Sequence, residues 1–339
     1  MLNELKNLCL LDGTSGDEFK VRDYIISKIK DKCTYEVDPM GNVLAFKKGK
    51  KTPKNKVMLS AHMDEVGFIV TYICDNGYLK FTNVGGVDPK VAVGRTLKVG
   101  ESAVNGVIGN KAVHLCHGDE ENTVPKLDKL YIDIGAKDKA EAEKYVSLGD
   151  CVYFVSDFVE FGEDKIKAKA IDDRFGCAIM LKMIESALEY DTNFAFLVQE
   201  EVGCRGGAAA VFTVRPDYAI VLEATTASDI SGVSDEDRVC VQGRGAVVSF
   251  MDRSTVYNRN LFKGAFALAK EKNIPIQAKT TVAGGNDASA IHKACSGVYT
   301  IAVSLPCRYI HSGTSVGDKR DMQACYDLAV ALCEEYANA

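Results

Sequence analysis

Apolar side chains follow two periods along this chain, one helical and one of alternating strands. Val21, Tyr24, Ile25 and Ile29 recur at i, i+3, i+4 and i+8, the spacing of a helix with one buried face. Ser15-Gly16-Asp17-Glu18, just ahead of them, has the spacing of a capping box, so the first helix is expected to start there. Val43–Phe46 reads as a short strand after the turn residues Gly41-Asn42. Val57–Ser60 is a β-type run that ends at Ala61-His62-Met63-Asp64. From Gly67 to Gly162 the character differs. Runs of Val, Ile, Thr and Tyr alternate with Gly, Asp and Asn turns, and only Lys137–Val146 has a helical look, which predicts a small β-rich unit.

Helix and strand patterns alternate again beyond that segment. Helices are expected over Asp173–Glu189, Asn260–Lys272, Asp287–Lys293 and Met322–Ala337. Strands are expected over Phe194–Val198, Tyr218–Leu222, Ile276–Val282 and Val298–Ser304. Such alternation predicts an α/β fold, a mostly parallel sheet with helices on both faces. The simplest organisation has residues 1–66 plus 163–339 as one α/β domain, interrupted by an inserted β-rich domain over 67–162. There is no internal repeat and no low-complexity segment.

Composition narrows the function classes. Among 339 residues, 47% are apolar, and 41 basic against 47 acidic side chains give a net charge of -6. That balance, with no Lys/Arg stripe, argues against nucleic acid as a partner. The longest apolar stretches, such as Gly67–Cys74 and Tyr218–Leu222, are far shorter than a membrane span. The twelve cysteines include no CxxC pair, which argues against a zinc ribbon or a thioredoxin-like motif. The opening residues lack a basic stretch followed by an apolar one, so a cytoplasmic protein with reduced thiols is the expectation.

Side chains able to bind metal sit at or just after the expected strand ends. His62 and Asp64 follow one strand, Glu200 and Glu201 another. Glu223 closes the run YAIVL, His311 lies beyond the Val298–Ser304 strand, and Asp172 and Asp173 precede a helix. The carboxyl ends of parallel strands form the site crevice in open sheets. Each residue alone has a plainer reading. A single His at a strand end is usually structural, a Glu pair is usually solvated, and Asp172-Asp173 suits a helix start. Glu223 is harder to dismiss, because an acid at the end of so apolar a run needs a partner. His114 and His117 read as turn or surface residues, and His292 as structural. Together, two histidines and several carboxylates suit zinc, cobalt or manganese rather than calcium. Two ions about 3.5–4 Å apart, bridged by a carboxylate, can hold an attacking hydroxide, and a further carboxylate must then move its proton. The Glu200-Glu201 pair could divide the roles of base and ligand.

Five segments occur in an order that resembles a known family: SAHMDEVGFIV, KAIDDRFGCAIML, VQEEVGCRGGAAA, GGNDASAIH and YIHSG. They are similar to the TET-type metallo-aminopeptidases of peptidase family 42, which include glutamyl and leucyl aminopeptidases and some members labelled endoglucanase. The likeness extends to LDGTSGDEFKVRDYI and VDPMGNVLA. It implies a phosphorylase/hydrolase-like α/β domain with an inserted barrel-like dimerisation domain, and dodecamers built from dimers. It implies two divalent ions per subunit, zinc or cobalt. His62 and Glu223 would hold one ion, His311 and Glu201 the other, and Asp172 would bridge both. Glu200 would be the general base acting on a metal-activated water, Asp64 would orient His62, and the Asp172–Asp173 peptide would be cis. Two positions depart from the family pattern: Glu223 is commonly Asp, and Ser312-Gly313-Thr314-Ser315 replaces a Pro and an apolar run. Alternatives are hydrolysis of N-acyl amino acids or other amides at the same centre, glycoside hydrolysis, and a metal-binding assembly scaffold without activity. Arg244, Arg253 and Arg320 are candidates to line a pocket for acidic side chains.

Overall fold

Eight strands form one mixed sheet in the computed structural model, which describes residues 1–118 and 123–339. Their order is Thr34–Val37, Val43–Lys47, Thr192–Leu197, Val57–His62, Tyr218–Thr226, Tyr299–Cys307, Ala246–Ser249 and Ile276–Lys279. The central four, Thr192–Leu197 through Tyr299–Cys307, run parallel to one another. Antiparallel pairing is confined to the flanks.

Alternate residues of the central strands enter two different cores, as the two-residue period of a strand requires. Leu59, Phe194, Phe196, Ile220, Leu222, Ile301 and Val303 pack on one face. That face is covered by the helices Leu2–Cys9, Phe19–Ile29, Ile171–Glu185, Arg259–Lys272 and Lys319–Asn338. Met58, Ala195, Leu197, Ala219, Val221 and Ala302 pack on the other, under Arg205–Val214 and Ala288–Ile291. The result is the layered α/β arrangement with helices on both faces of the sheet.

The inserted segment closes on itself. Gly67–Ile73, Leu79–Val84, Tyr131–Asp133, Val104–Gly109, Thr96–Val99 and Cys151–Phe154 form a six-stranded barrel, which leaves no open edge. Phe68 anchors its core, edge-on to Phe81 at 4.9 Å and to Phe154 at 5.3 Å between ring centres. Residues 119–122 of this segment lie outside the described residues. The expected helix over Lys137–Val146 shrinks to Lys139–Ala142, capped by Asp138, and a second short helix, Pro89–Ala92, is capped by Asp88.

Four expectations change. A helix, Leu2–Cys9, precedes the one expected to come first. Ser15 does not cap the helix Phe19–Ile29; its hydroxyl donates instead to Asp64 Oδ2 at 2.6 Å. The strand expected to end before Glu223 runs on to Thr226, because its pairing with the neighbouring strand holds as far as Thr226 opposite Cys307. The helix Arg205–Val214 was not legible, because Gly206 and Gly207 open it. A Cβ on Gly206 would collide with the Asn42 side chain and the Val198 backbone, so close packing demands a residue that disfavours helices. Among the described residues no helix is long and apolar enough to cross a membrane.

Candidate metal centre

Strand register alone sets two of the acid and imidazole groups side by side. Val221 is level with Ser60 across a parallel pair, so two residues on, Glu223 is level with His62. Leu197 is level with His62 on its other side, and the chain then turns so that Glu200 and Glu201 follow immediately. Asp172 enters from the start of the helix Ile171–Glu185, where it and Asp173 depart from helical geometry and the peptide bond joining them is cis. His311 arrives from the loop beyond Tyr299–Cys307. Ala170, Gln199, Cys204 and His311 all take left-handed backbone angles, with φ of 52°, 57°, 53° and 58°. Such conformations are disfavoured for non-glycine residues and collect at functional sites.

The six groups converge on Asp172, whose two oxygens face different imidazoles. Oδ1 is 3.4 Å from His62 Nε2, and Oδ2 is 3.7 Å from His311 Nε2. Glu223 Oε1 lies 3.4 Å and Glu200 Oε2 4.0 Å from His62 Nε2, while Glu201 Oε2 lies 3.5 Å from His311 Nε2. In each ring the other nitrogen meets a backbone carbonyl. His62 Nδ1 donates to the Asp64 carbonyl at 3.1 Å, and His311 Nδ1 donates to the Gly86 carbonyl at 2.9 Å. A carbonyl only accepts, so both rings carry a hydrogen on Nδ1, which leaves Nε2 as the ring atom turned to the carboxylates. Gly86 belongs to the inserted segment, and a Cβ there would come within 3.3 Å of the His311 ring.

Asp64, fully buried, works mainly on the backbone of the neighbouring loop. Its Oδ1 accepts from the Glu200 N–H at 3.0 Å, and its Oδ2 accepts from the Glu201 N–H at 3.1 Å and from Ser15. Its carboxylate Oδ1 is 3.5 Å from His62 Nδ1, farther than its own carbonyl. Burial opposes the Asp64 charge, but His62, Ser15 and the Glu200 N–H together hold its pKa below the ordinary value.

Crowding of acids distorts the titration of the whole group. Burial, reinforced by the charge on Asp172, pushes Glu223 and Glu201 well above the usual carboxylate range, and burial raises Glu200 as well. Asp172 goes the other way: burial opposes its charge, but Glu223 and His62 beside it outweigh that and keep it low. Burial also opposes the charge on His62, yet Glu223, Asp172 and Asp64 raise its pKa well above the ordinary histidine value. Divalent cations would relieve this crowding by taking the place of the protons.

The spacing fits such cations. A tetrahedral shell with bonds of about 2.0–2.1 Å sets neighbouring ligand atoms about 3.3 Å apart, close to the separations around His62 Nε2. Asp172 Oδ1 and Glu223 Oε2 are buried without a hydrogen-bond partner, as ligand atoms awaiting an ion would be. His62, Asp172 and Glu201 offer one group of converging donor atoms; Asp172, Asp173 and Glu223 offer another. Asp173 makes no ion pair with either imidazole among the described residues; its Oδ1 accepts from the Gly176 N–H, and burial raises its pKa well above the ordinary range.

A cavity of about 230 Å³ opens beside the cluster. Asp172, Glu200, Glu223 and His311 form one wall; Thr225, Thr226, Lys279, Ala283 and Asn286 are among the others. Sequence patterns pointed to neither Lys279 nor Gly86, and the three arginines singled out from sequence do not line this cavity. Arg320 pairs with Asp318 and Asp164, and Arg244 borders a different cavity. Ser312 and Ser315 border a much smaller space, about 10 Å³, on the barrel side of Asp172. His114 and His117 are exposed in the inserted segment, and His292 Nδ1 bonds the Ala288 carbonyl at 2.6 Å.

Known proteins resemble this chain over nearly all of its length. The chain is 30% identical to the lysyl aminopeptidase of Pyrococcus furiosus over 98% of this chain and 96% of that protein. It superposes on an aminopeptidase from the archaeon Desulfurococcus kamchatkensis with a TM-score of 0.92 and 33% identity, covering 98% of this chain and 93% of that one. The TET1 peptidase of Pyrococcus horikoshii, which can assemble into a tetrahedron or a large octahedral shell, matches with a TM-score of 0.86 and 32% identity over 98% of each chain. A profile of M42 glutamyl aminopeptidases matches residues 41–328, most of the length, and the chain is therefore a peptidase that belongs to the M42 glutamyl aminopeptidase family.

Proposed function

We propose that this chain is a two-metal aminopeptidase that removes residues from the amino end of peptides. One ion would be held by His62, Asp172 and Glu223, the other by Asp172, Glu201 and His311. The observation that carries this reading is the division of Asp172, whose oxygens face the Nε2 atoms of two different histidines at 3.4 and 3.7 Å. The mixed imidazole and carboxylate set suits zinc or cobalt. When bound, the two cations would polarise the scissile carbonyl and bring the pKa of a water toward about 7.

Glu200 is the proton carrier in this reading. Its Oε1 accepts from the Cys204 thiol at 3.3 Å, which leaves Oε2 on the His62 side. Burial raises its proton affinity, so it can take a proton from water and return it to the leaving amine nitrogen. Asp64 holds Glu200 and Glu201 in place through their backbone N–H groups. Residues 1–66 plus 163–339 form the catalytic domain of this proposal, and 67–162 an inserted dimerisation domain of a cytoplasmic homo-oligomer, a dodecamer built from dimers.

The test compares aminoacyl anilides with free and with N-acetylated amines, on metal-loaded and chelated protein. Chelator-sensitive cleavage of the free-amine set alone is expected; equal cleavage of the acetylated set would favour an amide hydrolase. Asp172→Ala is expected to lower occupancy of both ions, and two ions still fully bound by elemental analysis would refute the bridging role.

A further inference from the structure

The carboxylate of Glu200 takes its hydrogen bond from a thiol. Cys204 Sγ lies 3.3 Å from Glu200 Oε1, while Oε2 is 4.0 Å from His62 Nε2. The main chain brings the two side chains together. The Glu200 carbonyl accepts from the Gly203 N–H at 2.9 Å and from the Cys204 N–H at 2.8 Å, which closes residues 200–204 into a tight turn. Cys204 completes that turn in a left-handed conformation, just ahead of the helix Arg205–Val214. The side chain at 204 is thereby folded back onto the side chain at 200.

A second acid stands near the first without lining the cavity that Glu200 lines. Asp287 precedes the short helix Ala288–Ile291 and is 1% exposed, and among the described residues neither of its carboxyl oxygens has a hydrogen-bond partner. It lies over the first turn of the helix that Cys204 opens, since a Cβ on Gly207 would come 3.4 Å from its Oδ1. Burial, reinforced by the charge on Glu200, pushes Asp287 well above the usual carboxylate range, so it keeps a hydrogen to give. An acid that donates to a carboxylate makes a short, strong bond. Glu200 paired with Asp287 in that way would be drawn off the metal cluster.

We propose that Cys204 is a positioning residue for the reaction: its thiol holds Glu200 Oε1 and keeps Oε2 on the metal side, where the carboxylate could otherwise pair with Asp287. This rests on Glu200 being the proton carrier, as argued above, and adds what aims it. The role needs a thiol that stays protonated. Burial, with the charges of Glu200 and Asp287, pushes the Cys204 thiol well up, so it remains a donor at neutral pH. Ser289, from the helix that follows Asp287, hydrogen-bonds the same sulfur.

The experiment uses full-length, metal-loaded protein and a free-amine aminoacyl anilide that the wild type cleaves, with kcat, KM and metal content measured for each variant. Cys204→Ala removes the donor without the strain that a β-branched side chain would meet at a left-handed position. It is expected to lower kcat about tenfold or more, part of the 10²–10⁴-fold share of a general base, with KM and metal content little changed. Cys204→Ser keeps a donor and is expected to recover most of that loss. Asp287→Ala, added to Cys204→Ala, removes the competing acid without breaking a hydrogen bond, and is expected to raise kcat again. Cys204→Ser no faster than Cys204→Ala would overturn the proposal, because a side chain that only packs the turn gives that result. So would a double variant no faster than Cys204→Ala, or a loss that follows metal content or KM alone. Glu200→Gln at full turnover would remove the proton-carrier reading itself, whatever the Cys204 variants do.

Discussion

Asp64 is the residue whose replacement best separates positioning from ligation. Its carboxylate contacts no substrate-facing space, yet each oxygen holds one backbone N–H of the Glu200-Glu201 pair, at 3.0 and 3.1 Å. In Asp64→Asn one oxygen becomes an amide that donates. If the amide replaces Oδ1, it meets the Glu200 N–H and the His62 ring, both donors. If it replaces Oδ2, it meets the Glu201 N–H, while the Ser15 hydroxyl can rotate to accept. The second arrangement is cheaper and sacrifices the Glu201 anchor. A hydrogen bond to a charged group contributes about 1.5–3 kcal/mol, so an isosteric change is expected to be costly. The His62 tautomer survives, because the Asp64 carbonyl still holds Nδ1. The defect should therefore fall on the ion that Glu201 and His311 would bind, with affinity reduced about 10–100-fold, the usual range for loss of a ligand's supporting partner. Titration of the metal-free variant against a chromogenic chelator reads both affinities. Ser15→Ala, which removes one hydroxyl donor, should lose less, about 1 kcal/mol. Two ions bound within twofold of wild type in Asp64→Asn would refute the reasoning, and so would a loss confined to the His62 ion.

Three further outcomes are expected. Glu200→Gln should retain metal but lose about 10²–10⁴-fold in kcat, the share of a general base, and undiminished turnover would remove Glu200 from that role. In the metal-free protein His62 has a pKa well above its ordinary 6.5, so it is protonated at pH 7 and must lose that proton before Nε2 can bind an ion. Metal binding at pH 7 should thus release at least one proton per subunit and weaken as pH falls. Calorimetry in buffers of different ionisation enthalpy reads that number, and zero would contradict it. Glu65 Oε1 accepts from Lys169 at 2.7 Å, from the Gly13 N–H at 3.1 Å and from Arg174 at 3.4 Å, all buried. Glu65→Ala leaves two buried cations with only Asp12, which should lower stability by about 3–5 kcal/mol. A denaturant midpoint that places the loss below about 1 kcal/mol would argue against that network.

Local patterns predicted those parts of the fold whose environment is uniform along the segment. Val57–His62 is buried at every position, and the β-type run Val57–Ser60 was legible as a strand before any partner was known. The inserted barrel announced itself through repeated turns between short β-type runs. The flanks were harder. Ala246–Ser249 is four residues long, runs antiparallel to Tyr299–Cys307, and is flanked by polar turns, so nothing local distinguishes it from a loop. The helix Arg205–Val214 was hidden for the opposite reason: contact with Val198 and with Asn42, 164 positions away, selects glycine at 206 where local propensity would want alanine.

The same division runs through the site. Glu223 stood out because an acid is costly at the end of so apolar a run, whereas His62, Glu200 and Glu201 gained weight only together, through the segments that resemble the family. Their neighbours are invisible to that argument. Gly86 orients His311 from 225 positions away, and a glycine after a strand in a turn-rich segment looks like any other. Lys279 is concealed more thoroughly, since lysine on an edge strand is one of the commonest ways a sheet guards its open side. Only the folding of the 283–286 loop over that edge turns an ordinary surface lysine into an enclosed cation facing the metal cluster. Glu223 is thus betrayed by being expensive where it stands. Lys279 acquires its cost from a loop that the local pattern does not join to it, so its burial shows only in three dimensions.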